Sequence, residues 1–132
     1  MTRINAGFPP KQLCRQHLLA EAREIKRVPN VIKSGRYNME GMPDQFKLGE
    51  GHVKFFYNKL GYLRKRYEEL YALASKHYNV TYFGPAWDNL PPELMGDWEP
   101  TAEAKQLIAE RIAERIADME SRGINVEYPE NP

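Results

Sequence analysis

Between His52 and His77, apolar residues return at every third or fourth position: Val53, Phe56, Leu60, Leu63, Tyr67, Leu70 and Ala74. That is the period of one helix face, and no stretch of similar length alternates in the two-residue rhythm of a sheet. Phe55, Tyr57 and Tyr71 widen the band, so a helix over about 52–77 needs other helices to cover it. Two more tracts supply them. From Gln12 to about Val28 the residues Leu18, Ala22, Ile25 and Val28 form a stripe. Phe8-Pro9-Pro10 fixes an extended approach to this helix, and Pro29 ends or kinks it. Thr101 reads as the N-cap of a third helix, with Glu103 in its first turn and Gly123 as its stop. Its stripe is Ala104, Leu107, Ile108, Ile112, Ile116 and Met119. Residues 34–51 are broken by Gly35, Gly41, Pro43, Gly49 and Gly51 and read as a loop. Residues 78–100 read as an irregular aromatic connection that packs over the helices, with a short helical turn near Glu93-Leu94. The tail after Gly123 reads as extended and partly loose. The expected fold is all-α: a single compact three-helix domain over residues 1–132, with irregular connecting loops.

A chain of 132 residues can bury a core without staples. Cys14 is its one cysteine, which excludes an internal disulfide and, with three scattered histidines, argues against structural zinc. No run approaches the roughly 20 apolar residues of a membrane span. The start, MTRINAG, lacks the apolar core of a secretion signal, so a reducing, cytoplasmic setting is expected.

The net charge of +1 hides a split. Residues 1–76 carry 15 Lys and Arg against 7 Asp and Glu; residues 77–132 carry 4 against 11. A basic half beside an acidic half suits a polyanion bound on one face. The run Arg64-Lys65-Arg66 fits two roles. It can be the wet face of its helix, with pairs such as Arg64 and Glu68, or it can face phosphates.

None of the short mechanistic motifs is present: no Gly-rich phosphate loop, no H-E-x-x-H pair, no nucleophile elbow. The informative residues are near the start. Thr2 follows Met1, and a small second residue permits removal of the initiator. A terminal α-amine has a reference pKa near 7.7–8.0, against about 10.4 for lysine, which makes it much the better nucleophile at neutral pH. A primary amine attacking C1′ of a sugar can form a Schiff base. Glu24 lies between Arg23 and Arg27 and is a candidate for acid–base work beside such an amine. His17 sits seven residues earlier on a related face.

Three ordered blocks carry a resemblance. Thr2-Arg3-Ile4-Asn5 is followed by Gln16-His17-Leu18-Leu19-Ala20-Glu21, Arg23-Glu24 and Arg27-Val28. Gly51-His52-Val53 is followed by Phe55-Phe56-Tyr57, Lys59-Leu60 and Leu63-Arg64-Lys65-Arg66. The last block is Gly96-Asp97, Pro100 and Glu103-Ala104. Over about residues 2–120 the chain resembles the phage endonuclease V family of pyrimidine-dimer DNA glycosylases. The resemblance implies a three-helix fold, a Thr2 amine nucleophile after methionine loss and a Glu24 catalytic carboxylate. It implies that Arg3, Arg23 and Arg27 bind the lesion strand and its phosphates, with Gln16 and His17 near the scissile site. Arg111 and Arg115 look like the family's basic pair that meets DNA. Basic residues of the first two helices, Arg64, Lys65 and Arg66 among them, would add a salt-dependent grip.

The implied partner is duplex DNA carrying pyrimidine dimers or abasic sites, with no membrane and no obligate protein partner. Neither a metal nor an organic cofactor is implied, and the implied location is the cytoplasm of a bacterial or phage-infected cell. The implied activity joins N-glycosylase and β-elimination lyase steps. A helical DNA-binding protein without chemistry is the alternative. The chain departs from the phage member at Ala22, where that has tyrosine, and at Lys26, where it has proline. Its 34–49 loop is shorter and less basic. In place of an aromatic, basic tail it has Glu127-Tyr128-Pro129-Glu130, which would repel phosphate. Lower non-specific DNA affinity or a shifted lesion range is therefore expected.

Overall fold

A computed structural model describes residues 2–129; Met1 and Glu130 lie outside the described residues. The first expected helix is two helices, α1 (Arg15–Glu24) and α2 (Arg27–Ser34). Pro9 is extended, as the Pro-Pro pair requires, but Pro10–Gln12 is already a 3-10 turn and α1 starts only at Arg15. Pro29 does not end the helix. It sits in the first turn of α2, where a missing N–H goes unnoticed. The break comes earlier, at Ile25-Lys26, and Val28 N–H turns back to the Ile25 carbonyl at 3.2 Å.

The second expected helix is also divided, into a single turn α3 (His52–Phe55) and α4 (Leu60–His77). Another part of the chain causes the division. Gly96 N–H donates to the Asn58 carbonyl at 3.2 Å, and the Gly96 carbonyl accepts from Tyr62 N–H at 3.1 Å. Lys59 and Met95 form an isolated antiparallel bridge. The Gly96 carbonyl therefore satisfies one of the free amides of α4's first turn, which no side chain caps. A Cβ on Gly61 would stand 2.6 Å from the Met95 oxygen, and one on Gly96 would stand 2.5 Å from the Asn58 oxygen. Only glycine lets the two backbones come this close.

The third helix, α5 (Ala102–Ser121), follows its sequence signals. Thr101 Oγ1 accepts from Ala104 N–H at 3.1 Å. At the other end Gly123 takes φ +75°, and Ile124 N–H reaches the Met119 carbonyl at 2.9 Å, a Schellman stop. The tail beyond is docked: Arg15 N–H donates to the Glu127 carbonyl at 2.6 Å, and Gln16 Nε2 donates to the Asn125 carbonyl at 2.9 Å.

Helix α1 packs along α4, and Leu18, Ile25, Leu63, Leu70 and Ile108 are fully buried around that contact. The 78–100 connection covers the helices with its aromatics, and two short 3-10 turns (Gly84–Trp87 and Pro92–Leu94) stiffen it. Trp87 is buried, and Trp98 stacks on Phe46 at 5.8 Å. Five expected stripe residues are not fully buried: Ala22, Val53, Ile116 and Met119 are half-buried, and Leu107 is exposed. The architecture is all-helical and compact, with no strand among the described residues. No helix among them is long and apolar enough to cross a membrane.

Candidate active site

The N-terminal segment, irregular over residues 2–5 and turning at Ala6-Gly7, lies against four helices. Its side chains Ile4 and Ala6 are fully buried. Each polar group near them then needs a partner, and the partners come from all sides. Arg3 N–H donates to Glu24 Oε1 of α1 at 3.2 Å. Ile4 N–H donates to His52 Nε2 of α3 at 2.9 Å. Asn5 Nδ2 donates to Glu21 Oε1 of α1 at 2.9 Å, and Asn5 Oδ1 accepts from Arg111 of α5 at 3.0 Å. From α4, Tyr62 Oη accepts from Gly7 N–H at 3.3 Å, and Arg66 donates to the Phe8 carbonyl at 3.0 Å.

Glu24 is thus one peptide away from the Thr2 nitrogen. Its side chain is 13% exposed, and its second oxygen lies 3.8 Å from Arg23 Nη2. Thr2 itself is half-buried. A carboxylate held in this way can accept a proton or stabilise a positive charge that develops at the end of the segment.

A second group of residues gathers beside the segment. Burial lowers the pKa of His17, and the nearby Arg115, Arg3 and Arg111 lower it further. Burial, then Arg115 and Arg3, brings Arg111 down to about 10, so it keeps its charge at neutral pH. No carboxylate among the described residues pairs with Arg3, Arg111 or Arg115 within ion-pair distance. Arg3 Nε, Gln16 Oε1, His17 Nδ1 and Arg115 Nε are buried without a hydrogen-bond partner. Guanidinium groups that converge with no carboxylate beside them suit a phosphate.

The remaining basic residues divide. Arg23 and Arg27 are exposed, at the end of α1 and the start of α2. Arg64 and Lys65 are exposed on α4 but face the 78–100 connection, with Asp88 at 3.9 Å and Asp97 at 2.9 Å. Arg66 is a correction to the expected DNA-binding run. It is 5% exposed, and its guanidinium is taken up by both oxygens of buried Glu21 and by the Phe8 carbonyl. It cannot reach a phosphate, because the helix turns it inward.

Pattern reading missed Glu21, Asn5, His52 and Tyr62. Two of the structural roles had a signal. Glu21 falls three after Leu18 and four before Ile25, and Arg66 falls three after Leu63 and four before Leu70. Opposite charges at stripe positions on two facing helices indicate a buried pair. For Asn5 and His52 no local signal exists, since their partners lie on distant elements.

The family model described as pyrimidine dimer DNA glycosylase matches residues 1–82, more than half of the chain. The matched span includes Thr2, Glu24, His52 and Arg66, and excludes Arg111 and Arg115 on α5.

Proposed function

The chain belongs to the pyrimidine dimer DNA glycosylase family, and from that premise we propose that it cuts DNA at cyclobutane pyrimidine dimers through the α-amine of Thr2. The carrying observation is the 3.2 Å hydrogen bond from Arg3 N–H to Glu24, which ties the carboxylate to the residue next to the nucleophile. The amine becomes free when Met1 is removed.

In this reading the amine's lone pair attacks C1′ of the dimer's 5′ nucleotide. The glycosidic bond breaks, its electron pair leaves with the base, and the base takes up a proton. The base stays tethered to its neighbour through the cyclobutane ring. Sugar-ring opening then gives an iminium, whose positive charge Glu24 faces. Loss of a 2′ proton to a base drives β-elimination, and the C3′–O bond breaks with the phosphate as leaving group. Arg3, Arg111 and Arg115 hold a backbone phosphate beside the amine, with His17 and Gln16 near the scissile site. Arg23 and Arg27 add grip from the exposed edge. A base opposite the lesion turns out of the stack to open room at the sugar.

Borohydride trapping tests this. Protein with a free Thr2 amine is expected to form a covalent adduct on duplex DNA containing a dimer or an abasic site, with the added mass on the N-terminal peptide. Glu24→Gln is expected to bind the same DNA while losing turnover. Tight, salt-sensitive binding with no adduct would instead mark a DNA-binding protein without chemistry.

A further inference from the structure

The contacts of His52 go beyond what the family reaction demands. We infer that His52 is a positioning residue for that reaction: as the Nδ1–H tautomer, its imidazole accepts Ile4 N–H and holds the N-terminal segment in line with Glu24. The inference rests on the reading of Thr2 as the nucleophile.

Both ring nitrogens are committed. Ile4 N–H donates to Nε2 at 2.9 Å, which requires Nε2 to carry no proton. Nδ1 lies 2.9 Å from the Lys47 carbonyl and must therefore be the N–H that donates to it. The ring is 3% exposed, with edge-to-face contacts to Phe46 at 5.4 Å and Phe56 at 5.6 Å. Flipping the ring would break both hydrogen bonds at once. Burial lowers the imidazole to about 4, so the neutral ring is the form present at neutral pH.

The placement explains what this rigidity does. Arg3 N–H points to Glu24 on α1, and the next amide, of Ile4, points to His52 on α3. The segment is therefore gripped from two sides directly behind residue 2. Its attachment to the protein does not depend on His52, because Ile4 and Ala6 are fully buried and Asn5 is bonded to Glu21 and Arg111. The bond to His52 fixes direction. An amine attacking C1′ needs that direction, since a misplacement of about 1 Å can cost on the order of a hundredfold in rate.

The test compares wild type, His52→Leu and His52→Gln, each with a free Thr2 amine, on abasic-site duplex DNA. His52→Leu removes the acceptor; His52→Gln can return an oxygen near Nε2. At saturating DNA, His52→Leu is expected to slow the trapped single-turnover adduct by tenfold or more. Affinity for a reduced, uncleavable abasic duplex should stay within about threefold, since the grip on phosphate is untouched. His52→Gln should regain most of the rate. A leucine variant as fast as wild type, or a glutamine variant as slow as the leucine variant, overturns the inference while leaving the Thr2 reading intact. Wild type that forms no adduct overturns both. Should the leucine variant fail to fold, nitrogen NMR of the wild type decides the matter. An Nδ1–H tautomer with a slowly exchanging Ile4 amide is expected, and an Nε2–H tautomer overturns the inference.

Discussion

Replacing Arg66 with methionine should destabilise the protein severely and leave its surface unchanged. Arg66 and Glu21 leave only 6% and 1% of their side-chain area exposed, and they meet through two hydrogen bonds. Arg66 also holds the Phe8 carbonyl at 3.0 Å. In Arg66→Met, Glu21 keeps only Asn5 as a partner. A buried charge stripped of its counter-ion costs about 3–5 kcal/mol. That is a large share of the roughly 5–15 kcal/mol that holds an ordinary domain together. At this chain length the loss corresponds to a fall in Tm of roughly 10–20 °C. Urea unfolding followed by circular dichroism measures Arg66→Met, Glu21→Gln and the pair Glu21→Gln/Arg66→Met. Glutamine keeps an acceptor for Asn5 without the charge, so the double variant should recover at least half of the loss, the sign of a coupled pair. The reasoning fails if Arg66→Met costs less than about 1 kcal/mol, or if the double variant is as unstable as the two single changes added together.

Acid should act through His52. The folded ring sits at about 4 against an ordinary 6.5, so below pH 6.5 the unfolded chain takes up a proton that the folded chain refuses. Stability present above 6.5 is lost as pH falls toward 4, by up to about 3 kcal/mol, and a His52→Leu variant measured over the same range should have a shallower slope, keeping only what groups such as His17, also lowered by burial, contribute. Gly61→Ala would ordinarily favour a helix by about 1 kcal/mol. Here the methyl meets the Met95 oxygen at 2.6 Å, so a net loss of about 1–3 kcal/mol is expected in thermal unfolding. Arg115→Gln should weaken binding to all duplexes alike and reduce the salt slope of log K by about 1, which fluorescence anisotropy at several salt concentrations would read.

What the sequence disclosed follows the range over which each feature is determined. The Thr101 cap and the Gly123 stop involve neighbours within five residues, and both form as the pattern indicates. The stripes of α1, α4 and α5 also locate the core, since burial repeats with the helix period. The break at residues 56–59 could not be read locally. It is made by Met95 and Gly96, more than thirty residues away, and the stripe runs through it without a gap. Arg66 shows the opposite error. Grouped by adjacency with Arg64 and Lys65 it looks like part of a basic patch, whereas its spacing from Leu63 and Leu70 puts it inside. Of the cluster around His17, Arg111 and Arg115 stand out in the sequence as basic exceptions in an acidic half, but only the resemblance joins them to the rest. Arg3, Gln16, Arg111 and Arg115 come from three separate segments, and no local pattern links them.

Residues 125–127 give the segment after α5 a mechanical part in the fold, as a mooring for α1. Cys14 offers α1 no side-chain cap, and the Glu127 carbonyl closes that end of the helix instead. The helix that carries Glu24 at its far end is therefore moored by the last stretch of the fold. Trimming the protein before Asn125 would remove both tail hydrogen bonds from the first turn of α1 and leave the Arg15 amide without its partner.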